Sequence, residues 1–177
     1  MDKILFTEEQ RFTQRWLWLL LIGSTLIAVI PTIFGIYSQE ILGEPWGNNP
    51  TNTGTLYLIL FFELIVMGGI NLLIYKIRLK VEIKTDGLWF SFPPLLRKWR
   101  CIKREEIESF EVRTYRPVAE YGGWGIKGSS RNKAYNISGN VGLQLLLKNG
   151  RKVLFGTQES QAVEYAMRKM MNSERLK

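Results

Sequence analysis

Two long apolar stretches dominate the pattern of the chain. Trp16 to Ser38 contains no charged residue, and Leu56 to Tyr75 contains only Glu63. Each is long enough for a helix to cross the roughly 30 Å of bilayer hydrocarbon, which takes about 20 residues. The pattern predicts a two-helix transmembrane hairpin over 16–75, with spans at 16–37 and 56–75. Ahead of it, Thr7-Glu8-Glu9-Gln10 has the form of a capping box, so 1–15 reads as a juxtamembrane helix. Asp2, Glu8 and Glu9, with no small-residue cleavage triplet after the apolar run, make the first span an uncleaved anchor rather than a signal peptide.

After Lys76 the period changes to two. Ile77, Leu79, Val81 and Ile83 alternate with Arg78, Lys80, Glu82 and Lys84, the pattern of a half-buried strand. Thr85-Asp86-Gly87 is a hairpin turn leading into Leu88, Phe90 and Phe92. Further strands are expected at 98–102, 107–115, 133–138, 142–148 and 152–156, with a turn at Asn149-Gly150, making about seven. Thr157 is placed to cap a last helix, whose apolar face is Val163, Ala166, Met167 and Met170. About seven strands and one amphipathic terminal helix over 76–177 resemble a pleckstrin-homology-like barrel. The expected fold class is thus an α+β membrane protein, a helical hairpin followed by that barrel closed by its C-terminal helix.

Charge adds an orientation. The connection Gln39–Thr55 carries Glu40 and Glu44 and no Lys or Arg, whereas Arg11 and Arg15 precede the first span and Lys76, Arg78 and Lys80 follow the second. The positive-inside rule then puts both termini in the cytoplasm of a cell membrane. Of the net charge of +8, much is concentrated between Lys76 and Arg104, where nine basic residues face Glu82 and Asp86 before the acids at 105–106. Lys80, Lys84, Lys98 and Arg100 are candidate contacts for anionic headgroups. A solvated strand face is the alternative. Nucleic acid is not expected, because no recognition motif accompanies the charge.

Polar residues inside the spans are costly. Glu63 admits two readings, a structural or oligomer contact near Thr32 and the Pro31-freed carbonyl of Ile27, or a role in ion coupling. Asn71 is placed to bond across the hairpin, with Gly68 and Gly69 allowing close approach.

The chain has no histidine and one cysteine, which starves zinc sites, histidine-based triads and disulfide frameworks of residues. Gly123 to Gly128 formally matches G-x-G-x-x-G, but a strand rather than a helix is expected next, so no dinucleotide site follows. Cys101 lies among Arg100, Lys103 and Arg104, a setting that can lower a thiol pKa, although burial would leave it inert. No catalytic, metal or cofactor residues are expected.

Tyr121-Gly122-Gly123-Trp124-Gly125-Ile126-Lys127, Lys133 to Gly139, Asn149-Gly150 and Leu154 to Gln158 together resemble a prokaryotic family of uncharacterised two-span membrane proteins with a bacterial pleckstrin-homology-like domain. The resemblance covers most of the chain. It implies a fold and a location but no catalytic residues. Eukaryotic lipid-binding domains of this fold use basic residues around a long first hairpin loop; here Thr85-Asp86-Gly87 takes that place.

Tyr121, Gly122, Gly123, Trp124, Gly125 and Lys127 form a candidate partner surface, with Arg116, Glu120 and Arg131 as its rim. Glycines suit a sharply turned or closely approached backbone, and Tyr and Trp suit binding hot spots. The competing reading makes the stretch a barrel corner with Trp124 in the core. The functional expectation is a non-enzymatic membrane-anchored adaptor that binds protein or a second copy of itself. The alternative is a small subunit of a transport or envelope-stress complex using Glu63.

Overall fold

The computed structural model describes residues 3–172. It is an α+β structure with two apolar helices and two β-sheets, divided into two compact units, residues 13–75 and residues 3–12 with 76–172.

The first unit holds α1 (Arg15–Tyr37) and α2 (Thr53–Lys76), close to the expected spans. At 23 and 24 residues, both are long and apolar enough to cross a membrane. A π-helical turn, Ser38–Leu42, ends α1 at Gly43, whose φ of 71° stops the helix. The connection is tied down. Trp46 packs so closely on Gly35 that a Cβ there would stand 2.7 Å from its ring, and Tyr57 Oη donates to Glu40 Oε2 at 2.8 Å. Gly68 and Gly69, expected at a close approach, instead stand in open space.

The second unit begins with a strand where a helix is expected. β1 (Ile4–Arg11) pairs antiparallel with β2 (Arg78–Lys84), from Ile4↔Lys84 to Arg11↔Arg78. Its inward positions are Phe6, Glu8 and Gln10. Two polar residues on the buried face hide the alternation, and local capping propensity loses to long-range pairing. The domain over 76–177 therefore also takes in residues 3–12, and the apolar hairpin is inserted in its first β-connection.

β3 (Gly87–Phe92) and β4 (Leu96–Lys103) complete a four-stranded sheet in the order β1-β2-β3-β4. Gly87 is required by the close approach of β4, since a Cβ would lie 2.4 Å from the Ile102 carbonyl oxygen. This turn joins the second and third strands. The expectation that it is the first hairpin loop is corrected by β1.

A short 3₁₀ turn, Arg104–Glu106, leads to β5 (Ile107–Thr114) and then α3 (Pro117–Tyr121). β6 (Gly125–Gly128), β7 (Asn132–Asn136), β8 (Val141–Leu147) and β9 (Lys152–Gly156) complete the second sheet, ordered β5-β8-β9-β7-β6. β7 and β9 are parallel, whereas the other pairs are antiparallel. The expected strands are present, with β1 and β6 in addition. Nine strands thus form two separate sheets among the described residues, and no closed barrel is found.

The sheets pack face to face. Phe90 meets Tyr135 and Phe155, with centroids 4.8 and 4.9 Å away, above Leu79, Ile83, Leu143 and Leu145. α4 (Ser160–Asn172) covers β1, β2, β5 and β8 with the predicted Val163, Ala166, Met167 and Met170. Thr157 lies ahead of this helix, its Oγ1 accepting the Glu159 N–H at 3.0 Å. The far face of the second sheet carries a smaller core of Tyr115, Tyr121, Ala134 and Leu154.

Candidate functional site

The basic residues of the first sheet divide into paired and unpaired sets. β2 alternates, so Arg78, Lys80, Glu82 and Lys84 share the outer face with Glu9 and Arg11 of β1. Glu9 lies 3.2 Å from Lys80, 3.4 Å from Arg78 and 2.9 Å from Arg11. Burial pushes its carboxyl up, but the hydrogen bonds from Lys80 and Arg11 outweigh this and leave it below its ordinary pKa. Lys84 pairs with Glu82 at 3.1 Å and lies over the Trp89 ring. By contrast, Arg97, Lys98 and Arg100 on β4 have no carboxylate partner among the described residues. The four headgroup candidates therefore split, with Lys80 and Lys84 largely engaged within the sheet and Lys98 and Arg100 presented freely.

Cys101, on the same strand, is half-buried. Burial pushes its thiol up, and Asp86 and Glu106 add to that, against the lowered value that its basic neighbours in sequence suggest.

The glycine-rich stretch is a turn between two small elements. Pro117 opens α3 with its φ already helical, and Gly122 at φ 73° closes it. Tyr121 turns inward, its hydroxyl 3.1 Å from Asn132 Oδ1 and 3.4 Å from Gln144 Oε1. This places Tyr121 in the core and removes it from the candidate partner surface. Burial pushes its phenol up, and that of Tyr115 likewise. Gly123 and Gly125 have positive φ, so they supply conformations that side chains resist. Trp124 is half-buried, its Nε1 donating to the Gly139 carbonyl at 3.1 Å. It is neither the core tryptophan nor the free anchor of the two sequence readings. Lys127 is half-exposed, and Arg131 exposed.

Beside this turn lies a polar groove of about 530 Å³ on the outer face of the second sheet. Arg113 dominates it, reaching Glu120 Oε2 at 2.8 Å and Gln144 Oε1 at 3.0 Å. Glu120 also accepts the Arg116 N–H at 2.7 Å. Arg113, then Arg116, hold the Glu120 carboxyl below its ordinary pKa, and Glu120 in turn raises the guanidinium. Glu120 and Arg116 were readable as a rim; Arg113 and Gln144 were missed. The available signal was Gln144 itself, one polar residue in the otherwise apolar 142–147.

A second missed feature is Glu8. Buried in β1, it accepts from Thr157 Oγ1 at 2.7 Å, Gln158 N at 2.8 Å and Gln10 Nε2 at 2.9 Å, while Gln10 Nε2 also donates to the Gly156 carbonyl at 2.7 Å. These bonds fasten the first strand to the connection between β9 and α4.

In the helical hairpin, Thr32 Oγ1 donates to Glu63 Oε1 at 3.1 Å, the contact the sequence suggests. Glu63 Oε2 is enclosed without a partner among the described residues. Asn71 Nδ2 donates to Thr25 Oγ1 at 3.1 Å and to the Met67 carbonyl at 2.8 Å. Both polar side chains thus tie α2 to α1.

Among the described residues, no three His, Cys, Asp or Glu side chains gather in a metal-ligating group. Chemically, the surfaces above offer ion pairing, hydrogen bonding and apolar contact. No family model matches this chain, and no curated protein matches it in sequence, so the reading of these surfaces rests on their own geometry and charge.

Proposed function

We propose that this protein is a non-enzymatic adaptor anchored in a cell membrane by α1 and α2, with a pleckstrin-homology-like domain on the cytoplasmic side that binds a protein or a second copy of itself. The observation that carries the reading is the pairing of Arg11 with Arg78. The apolar hairpin leaves one end of the β1–β2 ladder and returns to it, so two covalent links, one on each neighbouring strand, join the domain to its anchor. A four-stranded meander, a second sheet packed on it and a terminal amphipathic helix are consistent with the pleckstrin-homology-like arrangement, with β6 and β7 as an additional hairpin. Arg11 and Arg15 on one flank and Lys76 and Arg78 on the other support cytoplasmic termini. The groove at Arg113 and Glu120, together with the glycine-rich turn that follows α3 and carries the half-buried Trp124, is the surface assigned to the partner.

In a Cys101→Ser background, a thiol reagent that does not cross membranes should label Asn48→Cys in intact cells and label Asn149→Cys only after lysis. The opposite pattern would overturn the orientation and with it the assignment of a cytoplasmic partner.

The unpartnered Glu63 Oε2 favours a second reading, a small subunit of a transport or envelope-stress complex. Loss of an ion or proton flux in Glu63→Gln with assembly intact would select that reading.

A further inference from the structure

The unpaired cations of the first sheet coincide with two of its exposed large apolar side chains. Leu95, in the turn between β3 and β4, is 54% exposed, and Trp99 on β4 is 42% exposed. Along the same few residues Arg97 shares the strand face of Trp99, Lys98 and Arg100 lie on the other face, and no carboxylate among the described residues pairs with any of the three. Apolar and basic side chains interleaved in this way suit a boundary between hydrocarbon and anionic headgroups.

The fold also fixes where this turn lies. The Arg78 N–H donates to the Pro93 carbonyl at 2.9 Å. Arg78 is two residues beyond Lys76, the last residue of α2. The β3–β4 turn is therefore held at the end of the sheet from which the apolar hairpin departs. Its own chemistry suits a water-poor setting. Pro93 and Pro94 have no N–H to leave unsatisfied, and the Pro93 carbonyl is already occupied.

Resting on the membrane-anchored reading above, we propose that the tip of the β3–β4 hairpin is a lipid-contacting foot. Leu95 and Trp99 enter the interfacial layer of the bilayer that α1 and α2 cross, while Arg97, Lys98 and Arg100 bind the phosphates of anionic lipids. Lys80 and Lys84 are not part of this contact, because Glu9 and Glu82 occupy them. A lipid surface is favoured over a protein partner by connectivity, since the Arg78–Pro93 bond ties the tip to the first residue of the strand that follows α2, and by charge, since Leu95 to Arg100 contains three cations and no acid. Tethering keeps the local lipid concentration high, so a contact too weak to recruit a free domain still forms here.

The test uses the full chain with Cys101→Ser, reconstituted in vesicles of phosphatidylcholine with or without phosphatidylglycerol. Nitroxide labels are placed singly at Leu95→Cys, Ile65→Cys in α2 and Asn149→Cys in the turn between β8 and β9. Collisions with oxygen and with a water-soluble nickel chelate report depth. The expected result is lipid-like accessibility for the Leu95 label in anionic vesicles, aqueous accessibility for Asn149, and loss of the Leu95 signal to an aqueous value when Arg97, Lys98 and Arg100 are all replaced by Glu. An aqueous Leu95 label beside a lipid-embedded Ile65 label would overturn the foot and leave the anchor standing. If the Ile65 label is aqueous too, the membrane reading itself fails. Lipid contact that persists in pure phosphatidylcholine or after charge reversal would overturn the anionic-lipid assignment, and a label shielded from both reagents would mark a protein contact and overturn the proposal.

Discussion

In α1 and α2 the large side chains that point outward are apolar, Leu19 at 74% and Ile27 at 77% exposure, while Thr32 is buried. In the sheets the arrangement is reversed. Leu79, Ile83, Leu143 and Leu145 are fully buried, and Lys80, Glu111 and Lys152 face outward. A water-exposed sheet can leave its polar groups to solvent, whereas an apolar hairpin must pair them internally, which it does for Thr25, Thr32 and Asn71 but not for Glu63 Oε2 among the described residues. Thr25 with Asn71 and Thr32 with Glu63 serve that need in the hairpin. The exceptions within the sheet unit are correspondingly informative. Glu8 and Gln10 are polar groups buried in a sheet, and Leu95 and Trp99 are apolar groups outside one.

The sharpest way to break this comparison is to remove apolar bulk from each unit. Phe155→Ala opens a cavity between Phe90 and Tyr135 and should cost about 3–5 kcal/mol. Leu20→Ala, on the outside of α1, should change stability by less than about 0.5 kcal/mol. Denaturant unfolding of the detergent-solubilised full chain, followed by tryptophan fluorescence, measures both. Equal losses would mean that the outer surface of α1 is a packed interface after all.

Polar contacts give the next largest contrast. Glu8→Ala leaves the Thr157 hydroxyl and the Gln158 N–H without their acceptor and should cost about 3 kcal/mol. Thr32→Val removes one interhelical hydrogen bond and should cost about 0.6 kcal/mol, the scale found for such bonds in membranes. The same unfolding measurement ranks them. A Glu8→Ala protein as stable as the parent would show that β1 is held by its ladder alone.

The smallest expected effect is electrostatic. The Glu120 carboxyl is held below its ordinary pKa of 4.5 by Arg113 and Arg116. A lowered folded-state pKa contributes stability that is present above the unfolded value and is lost as pH falls through the folded one. Melting temperature should therefore drop slightly more for the parent than for Glu120→Gln on acidification from about pH 5 to pH 3. Because Glu120 is exposed, the difference should shrink in high salt. Parallel pH profiles would mean that the pair with Arg113 adds nothing to the fold.

Much of this architecture is legible in the chain itself. Long apolar runs, broken in α2 only by Glu63 and Asn71 between Leu56 and Tyr75, specify α1 and α2, because no other arrangement of some twenty such residues avoids a large polar mismatch. Strict alternation from Leu79 to Ile83, the Asp86-Gly87 and Asn149-Gly150 turns, and the spacing of Val163, Ala166, Met167 and Met170 likewise act over a few residues. Thr32 and Glu63 were foreseeable as partners because antiparallel spans leave few alternatives.

Tertiary structure decided the features that depend on distant partners. Thr7 to Gln10 has a local preference for a helix start, yet pairing with β2 and the bonds from Glu8 to Thr157 and Gln158 make it a strand. Tyr121 and Trp124 have the same sequence credentials for a binding surface; only packing against Tyr115 and Leu154 sends Tyr121 inward and leaves Trp124 half-exposed. The basic residues between Lys76 and Arg104 are alike in composition, and it is the register of β1 against β2 that neutralises Lys80 through Glu9. Local sequence sets periodicity and turn chemistry, whereas which side chain is paired, buried or free depends on residues brought together from up to 150 positions away.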